Sequence, residues 1–378
     1  MSEFIPLSVP NFCGNERKYV DEALEGAWVS TSGAKVGEME ECIAKYVGMP
    51  QAVCCASGSA ALHLAALTAG VKPGDEVIVP ALTFIASVNP TTRYVGAQPV
   101  FFGCDETATM DPDAVEDFCA NQCELKADGL YNKRTGARVS ALVLVHVFGN
   151  MADMPRFLRI AKDYKLTLIE DAAEALGTKY TEGPLAGKFA GTMGDVGAYS
   201  FNGNKIITTG TGGTLVSNHP EWTERAKHLS TQAKTDLLQF KHDEVGYNYR
   251  MTNIDACLGL AQMELLEGFI EHKTARYEQY KAALDGVTAV IFASSLGIGV
   301  MLSAVPVLIY QGAIALLGNA VAPLLSDAVI TEMSAVGGLL IMGIGVNMLL
   351  EKDIKVANLL PAIVVPFLYF PLYNLIMR

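Results

Sequence analysis

From Gly286 to Ser326 the chain carries no Asp, Glu, Lys, Arg or His. That run is the strongest constraint on what the sequence can fold into. A tract with so few polar groups needs an apolar solvent, and it is long enough for two tightly joined membrane helices over Val287–Leu325, since one span takes about 20 residues. Met333–Leu350 and Leu359–Met377 add candidates, so 287–378 is expected to hold three to four transmembrane helices. Gly297/Gly299 and Gly337/Gly338/Gly343/Gly345 would let such helices approach closely. Buried helices of a soluble core are the alternative.

The first 286 residues are different. They hold nearly all the acidic excess behind the net charge of -12. No basic stripe is present to pair with phosphates, which argues against a nucleic-acid partner. All eight cysteines lie before residue 258. Cys119 and Cys123 are four apart, as on one helix face, but no second ligand pair follows, so no metal is expected. Reduced thiols are expected instead. The start, MSEFIPLSVP, lacks a basic-then-apolar signal segment, so the catalytic part is expected in the cytoplasm.

Short apolar runs alternate with helical patterns. Strands are expected at Ala52–Ala56, Glu76–Pro80, Pro99–Phe102, Ser140–Val147, Leu166–Ile169, Val196–Phe201 and Gly213–Ser217. Helices are expected at Ser59–Ala69, Thr83–Tyr94, Asp111–Gln122 with Asp111 as N-cap, and Met154–Tyr164, followed by a long one from Asn253. The rhythm predicts an α/β domain with a largely parallel sheet and helices on both faces. In such sheets ligands collect at the carboxyl ends of the strands.

Four motifs fall there. Ala56–Leu62 is a small-residue turn opening a helix. Its free backbone N–H groups suit a phosphate, although a plain tight turn uses the same residues. Leu168–Glu174 ends a buried strand with two carboxylates, Glu170 and Asp171. An Asp there either keeps a pyridinium nitrogen protonated or caps the next turn. Tyr199–Lys205 puts a lysine just past a strand among small polar residues, where it can reach a cofactor aldehyde. Gly246–Asn253 offers polar groups for phosphate or substrate, or simply a helix cap at Thr252 or Asn253.

These stretches, with Pro6–Asn11, Trp28–Thr31 and Pro80–Phe84, keep the order found in the DegT/DnrJ/StrS sugar aminotransferases, which the chain resembles, closest to the branch making legionaminic-acid-type precursors. The resemblance implies a fold-type I large domain binding pyridoxal 5'-phosphate over 1–252, with a long connecting helix over 253–286. It implies that Lys205 bonds the cofactor aldehyde and moves the proton, and that Asp171 pairs with the pyridine nitrogen. By the same resemblance Ser200, Gly58 and Ser59 hold the phosphate, Phe84 lies against the ring, and Glu174 stands near its phenolic oxygen. Asn248 would reach the partner subunit's cofactor in a homodimer. Trp28, Ser30, Thr31, His146 and Arg250 are the expected substrate residues. The implied reaction moves the amino group of L-glutamate to a nucleotide-linked keto sugar, at C4 of a 6-deoxy sugar.

Members of that family continue into a small α/β domain that closes over substrate. Here the sequence instead changes character at Ala283–Gly286 and resembles the end of the YdfK/YqgA-like inner-membrane proteins. A transmembrane segment thus stands in place of the small domain, and sugar turnover is expected to suffer. A hybrid chain without turnover, or a transport-type membrane protein carrying a cofactor-binding passenger, are the competing expectations.

Overall fold

The computed structural model describes residues 8–236 and 239–296. The chain divides into two compact units, Met1–Arg276 and Tyr277–Arg378. The sheet and the site belong to the first. Most of the expected membrane region, 297–378, lies outside the described residues. Among the described residues no helix is long and apolar enough to cross a membrane.

Nine strands form one sheet: β1 (Ala52–Cys55), β2 (Glu76–Pro80), β3 (Gln98–Phe102), β4 (Cys123–Lys126), β5 (Gly129–Asn132), β6 (Arg138–Val145), β7 (Thr167–Asp171), β8 (Val196–Ser200) and β9 (Gly213–Ser217). The order is β1-β9-β8-β7-β6-β2-β3, with β5 on β6 and β4 on β5. The β3, β2, β6, β7 and β8 neighbours run parallel. β9 is antiparallel to both β8 and β1. The sheet is therefore mixed, which corrects the largely parallel expectation. β8 and β9 are joined by residues 201–212 with no helix to carry the chain back across the sheet, and the two strands pair antiparallel.

Helices cover the sheet: α1 (Glu16–Glu25), α2 (Ala34–Val47), α3 (Gly58–Thr68), α4 (Ile85–Val88), α5 (Pro112–Asp117), α6 (Met154–Tyr164), α7 (Pro220–Ser230) and α8 (Asn253–Leu296). Central strands are buried on both faces, as expected of βαβ units. Val77 and Val79 pack on the α3 side, whereas Ile78 packs on the α6 side. Ala141 and Val143 on β6 are likewise opposed to Leu142 and Leu144. α8 opens with a reciprocal cap: Asp255 N–H donates to Thr252 Oγ1 at 3.2 Å, and Thr252 N–H to Asp255 Oδ2 at 3.4 Å.

Three expectations need correction. The Thr83–Tyr94 helix is only α4, followed by a separate turn at Arg93–Val95. Pro90 interrupts it because it has no N–H to donate. The Asp111–Gln122 helix has Asp111 as its cap, as expected, but loosens into a wider turn over Phe118–Gln122. Cys119 ends up in that turn and Cys123 starts β4, so they do not share a helix face. Both are buried in the core, and all eight cysteines are free thiols.

Candidate active site

The carboxyl ends of β1, β2, β6, β7 and β8 open onto one cavity of about 560 Å³. Its walls include eight of the expected residues: Gly58, Ser59, Phe84, His146, Asp171, Glu174, Ser200 and Lys205. Each is the last residue of a strand or lies within five residues after one. The sheet thus gathers groups that are up to 147 positions apart, counted from Gly58 to Lys205 (205 − 58).

At one end lies the start of α3. Ser57 caps it by accepting Ala60 N–H at 3.1 Å, which leaves the N–H groups of Gly58 and Ser59 aimed at the cavity. Ser200 stands opposite. A Cβ on Gly58 would lie 2.8 Å from Ser200 Cβ, so only glycine allows this approach. Two free N–H groups, a helix dipole and a hydroxyl make a cradle for a phosphate.

Asp171 lies at the end of β7 and is 4% exposed. Burial raises its pKa above the ordinary carboxylate value, and hydrogen bonds oppose that rise. Ser87 Oγ–H donates to Oδ2 at 2.6 Å, and Ala173 N–H to Oδ1 at 3.0 Å. Thr83 and Ser87 hydroxyls are 2.7 Å apart. Because the Ser87 proton is committed to Asp171, Thr83 is the donor in that pair.

Lys205 follows β8 in a turn closed by its N–H to Asn202 O at 3.0 Å. Its Nζ donates to Glu174 Oε1 at 3.0 Å, and Phe148 N–H donates to Glu174 Oε2 at 3.1 Å. The lysine side chain is 15% exposed. It thus reaches into the cavity and is held by a single carboxylate.

The neighbouring carboxylate does different work. Glu170 points to the other face of β7, as strand alternation requires. It is fully buried and accepts N–H groups from Gly191 at 2.8 Å, Met193 at 2.7 Å and Gly194, besides His146 Nε2 at 2.8 Å. His146 Nδ1 accepts Ala152 N–H at 3.3 Å. The ring therefore carries its proton on Nε2 and has both nitrogens engaged by the protein. It lines the cavity without a nitrogen to offer a substrate.

Five expected residues do not line the cavity: Trp28, Ser30, Thr31, Asn248 and Arg250. Trp28 and Ser30 are exposed, and their carbonyls accept Asn253 Nδ2–H at 2.7 Å and Asn253 N–H at 2.8 Å. Asn253, read as a cap, is instead the buried tie between α8 and that loop. Asn248 is exposed; Arg250 Nε is buried with no hydrogen-bond partner. Sequence reasoning missed Thr83, Ser87, Phe148, Asn202, Asn204 and Thr211, which all line the cavity.

The residues fit pyridoxal phosphate. An anion cradle that a single Cβ would fill, a buried carboxylate and an amine all line the same cavity. No second grouping of this kind is needed to place the cofactor's phosphate, pyridine nitrogen and aldehyde.

Residues 12–309 match the DegT/DnrJ/EryC1/StrS aminotransferase family. Residues 265–370 match a family of unknown function, DUF554. The two matches overlap over 265–309, and the change of character at Ala283–Gly286 falls inside the overlap. The GDP-perosamine synthase of Escherichia coli O157:H7 is 39% identical over 289 residues, covering 76% of this chain and 73% of that relative. The GDP-perosamine synthase of Caulobacter vibrioides is 41% identical over 286 residues, covering 74% and 71%. Among solved structures, the DegT DnrJ EryC1 StrS aminotransferase from Brucella abortus superposes with a TM-score of 0.65 at 28% identity, covering 72% of this chain and 69% of that one.

Proposed function

The chain belongs to the DegT/DnrJ/EryC1/StrS family of pyridoxal-phosphate-dependent sugar aminotransferases, and on that premise we propose that it moves the amino group of L-glutamate onto the ketone of a nucleotide-linked sugar. The observation that carries the reading is the convergence of Lys205, Asp171 and the Gly58–Ser59 turn on one cavity. The acceptor ketone is at C4 of a 6-deoxy sugar. Similarity to GDP-perosamine synthases and to a UDP-4-amino-4-deoxy-L-arabinose–oxoglutarate aminotransferase of Shewanella sediminis, 31% identical over 302 residues, supports the nucleotide sugar, the carbon and the donor pair.

Pyridoxal phosphate, when bound, supplies an electron sink conjugated to the carbon that gains or loses the amine. The chain's own residues do the rest. Gly58 and Ser59 N–H groups and Ser200 Oγ hold the phosphate. Asp171 would hold a proton on the pyridine nitrogen, with Ser87 keeping its carboxylate aimed and Thr83 keeping Ser87 aimed. Phe84, in the cavity wall, would cover one face of the ring. Lys205 Nζ would hold the cofactor's aldehyde end and, as an amine in the cavity wall, would carry the proton to and from the reacting carbon. Glu174 sits 3.0 Å from Nζ and holds it in place between turns.

The site is shared in a homodimer, with Asn248 serving the partner subunit's phosphate; Trp28, Ser30, Thr31 and Arg250 act on substrate from outside the single-chain cavity. The proposed organisation is 1–252 for the cofactor domain, 253–286 for the connecting helix and 287–378 for a membrane region of three to four helices. The last rests on the charge-free run and on the match to the second family.

The test is borohydride trapping of the reconstituted protein, followed by peptide mass mapping. Cofactor fixed to Lys205, and no fixation in Lys205→Ala, is the expected result. Fixation to another lysine, or none in folded protein, would refute the assignment.

A further inference from the structure

Phe148 combines two unfavourable features. Its backbone is left-handed, at φ 55° and ψ 20°, a conformation that glycine adopts freely and a bulky residue rarely does. The residue is 85% exposed and belongs to none of the three core clusters. The backbone has a local explanation. The turn sends Phe148 N–H to Glu174 Oε2 at 3.1 Å, lets Gly149 O accept the Thr178 hydroxyl at 3.1 Å, and sends Asn150 Nδ2–H to Thr107 O at 2.6 Å. A glycine at position 148 would make the same turn with less strain, so none of these bonds explains the ring.

The ring lines the cavity from the His146–Asn150 loop. Through Glu174, that loop is tied to Lys205, the amine assigned to proton transfer at the reacting carbon. Phe84, on the loop after β2, is the other phenylalanine in the wall and is 79% exposed. A flat apolar surface beside the reacting amine suits the C–H face of a pyranose and a methyl at its C6, and gives no hydrogen bond to a small polar acid such as glutamate. Strain held at a ligand-facing position, with no role inside the chain, is what a binding function would leave.

We propose that Phe148 is a specificity-determining residue that packs against the sugar ring of the nucleotide-linked substrate and orients its C4 toward Lys205. This rests on the aminotransferase reading above. Removing the ring weakens the sugar half of the reaction and spares the glutamate half.

The experiment compares wild type with Phe148→Gly, Phe148→Ala and Phe148→Tyr. Calorimetric titration uses two probes, GDP-perosamine and UDP-4-amino-4-deoxy-L-arabinose, and KM and kcat are measured separately for each half-reaction. The expected result is a roughly tenfold loss of affinity in the Gly and Ala variants for whichever amino sugar wild type binds. KM for L-glutamate stays unchanged, and Tyr restores the affinity. Phe148→Gly relaxes the backbone, so its thermal midpoint matching wild type separates lost binding from lost folding. Unchanged sugar affinity overturns the proposal, as does an equal loss for L-glutamate. Dissociation of an oligomer in sedimentation, with sugar affinity intact, would mean that the ring covers a second copy instead. Wild-type protein that reacts with L-glutamate but binds neither amino sugar would overturn the nucleotide-sugar reading itself.

Discussion

Replacing Ser87 by Ala isolates the support of the buried carboxylate. The hydroxyl lies 2.6 Å from Asp171 Oδ2, inside the protein, and it is the hydrogen bond that most opposes the upward push of burial on the Asp171 pKa. A hydrogen bond to a charged group contributes about 1.5–3 kcal/mol. Pairing with a pyridinium nitrogen requires the ionised carboxylate, so the loss falls on cofactor binding. At about 1.4 kcal/mol per decade, affinity for pyridoxal phosphate drops roughly 10- to 100-fold near neutral pH. The sign of the pH dependence follows. Asp171 in the folded apoprotein keeps its proton at pH values where the unfolded chain, near 3.8, has released it. The contribution of Asp171 to apoprotein stability is therefore fully present below that value and is lost as pH rises through the raised folded one. Ser87→Ala moves that loss to higher pH. Equilibrium titration of apoprotein with the cofactor, and urea midpoints of apoprotein, both across a pH series, measure the two effects. Wild-type affinity together with a wild-type pH profile would refute the reasoning.

Further outcomes follow from other groups. Gly58→Ala drives a Cβ to 2.8 Å from Ser200 Cβ; overpacking of this kind costs about 1–3 kcal/mol, and weaker cofactor binding should accompany a lower thermal midpoint. Glu170→Gln places an amide among four N–H donors, and leaving buried groups unmet costs about 1–3 kcal/mol each; a drop in the urea midpoint of apoprotein checks it, and an unchanged midpoint contradicts it. Burial pushes the Cys55 and Cys119 thiols up to about 12 and the Cys123 thiol up to about 11. Exposed Cys13 and Cys104 should therefore react with a thiol reagent first, and modification mapped first to Cys55, Cys119 or Cys123 would show that the core opens.

Much of the site was legible because its residues sit in short motifs whose chemistry is local. The Lys205 segment and the Asp171 strand need only a strand end, and runs such as Val196–Phe201 mark one. Met154–Tyr164 is a helix at the predicted bounds because Asp153 caps it and the apolar positions repeat at helical spacing. Ser87 could not be found that way, since it acts across 84 positions on Asp171 and sits in a stretch whose helical pattern Pro90 breaks. Glu170 and Asp171 read as a pair of carboxylates, whereas alternation along β7 sends them to opposite faces. The β4–β5 hairpin was invisible because Glu124 and Lys126 dilute its apolar signal. Phe148 gave no sign either: left-handed backbone at a residue other than glycine is set by the contacts of its loop, with Glu174 above all.

The central claim meets its most direct test in the near-visible absorption spectrum of full-length protein, extracted in detergent and reconstituted with pyridoxal phosphate, before and after L-glutamate. The account predicts a band from cofactor bonded to Lys205 that L-glutamate replaces with that of the amine form, and no such band in Lys205→Ala. Folded protein with no band, or with a band that L-glutamate leaves unchanged, would contradict it.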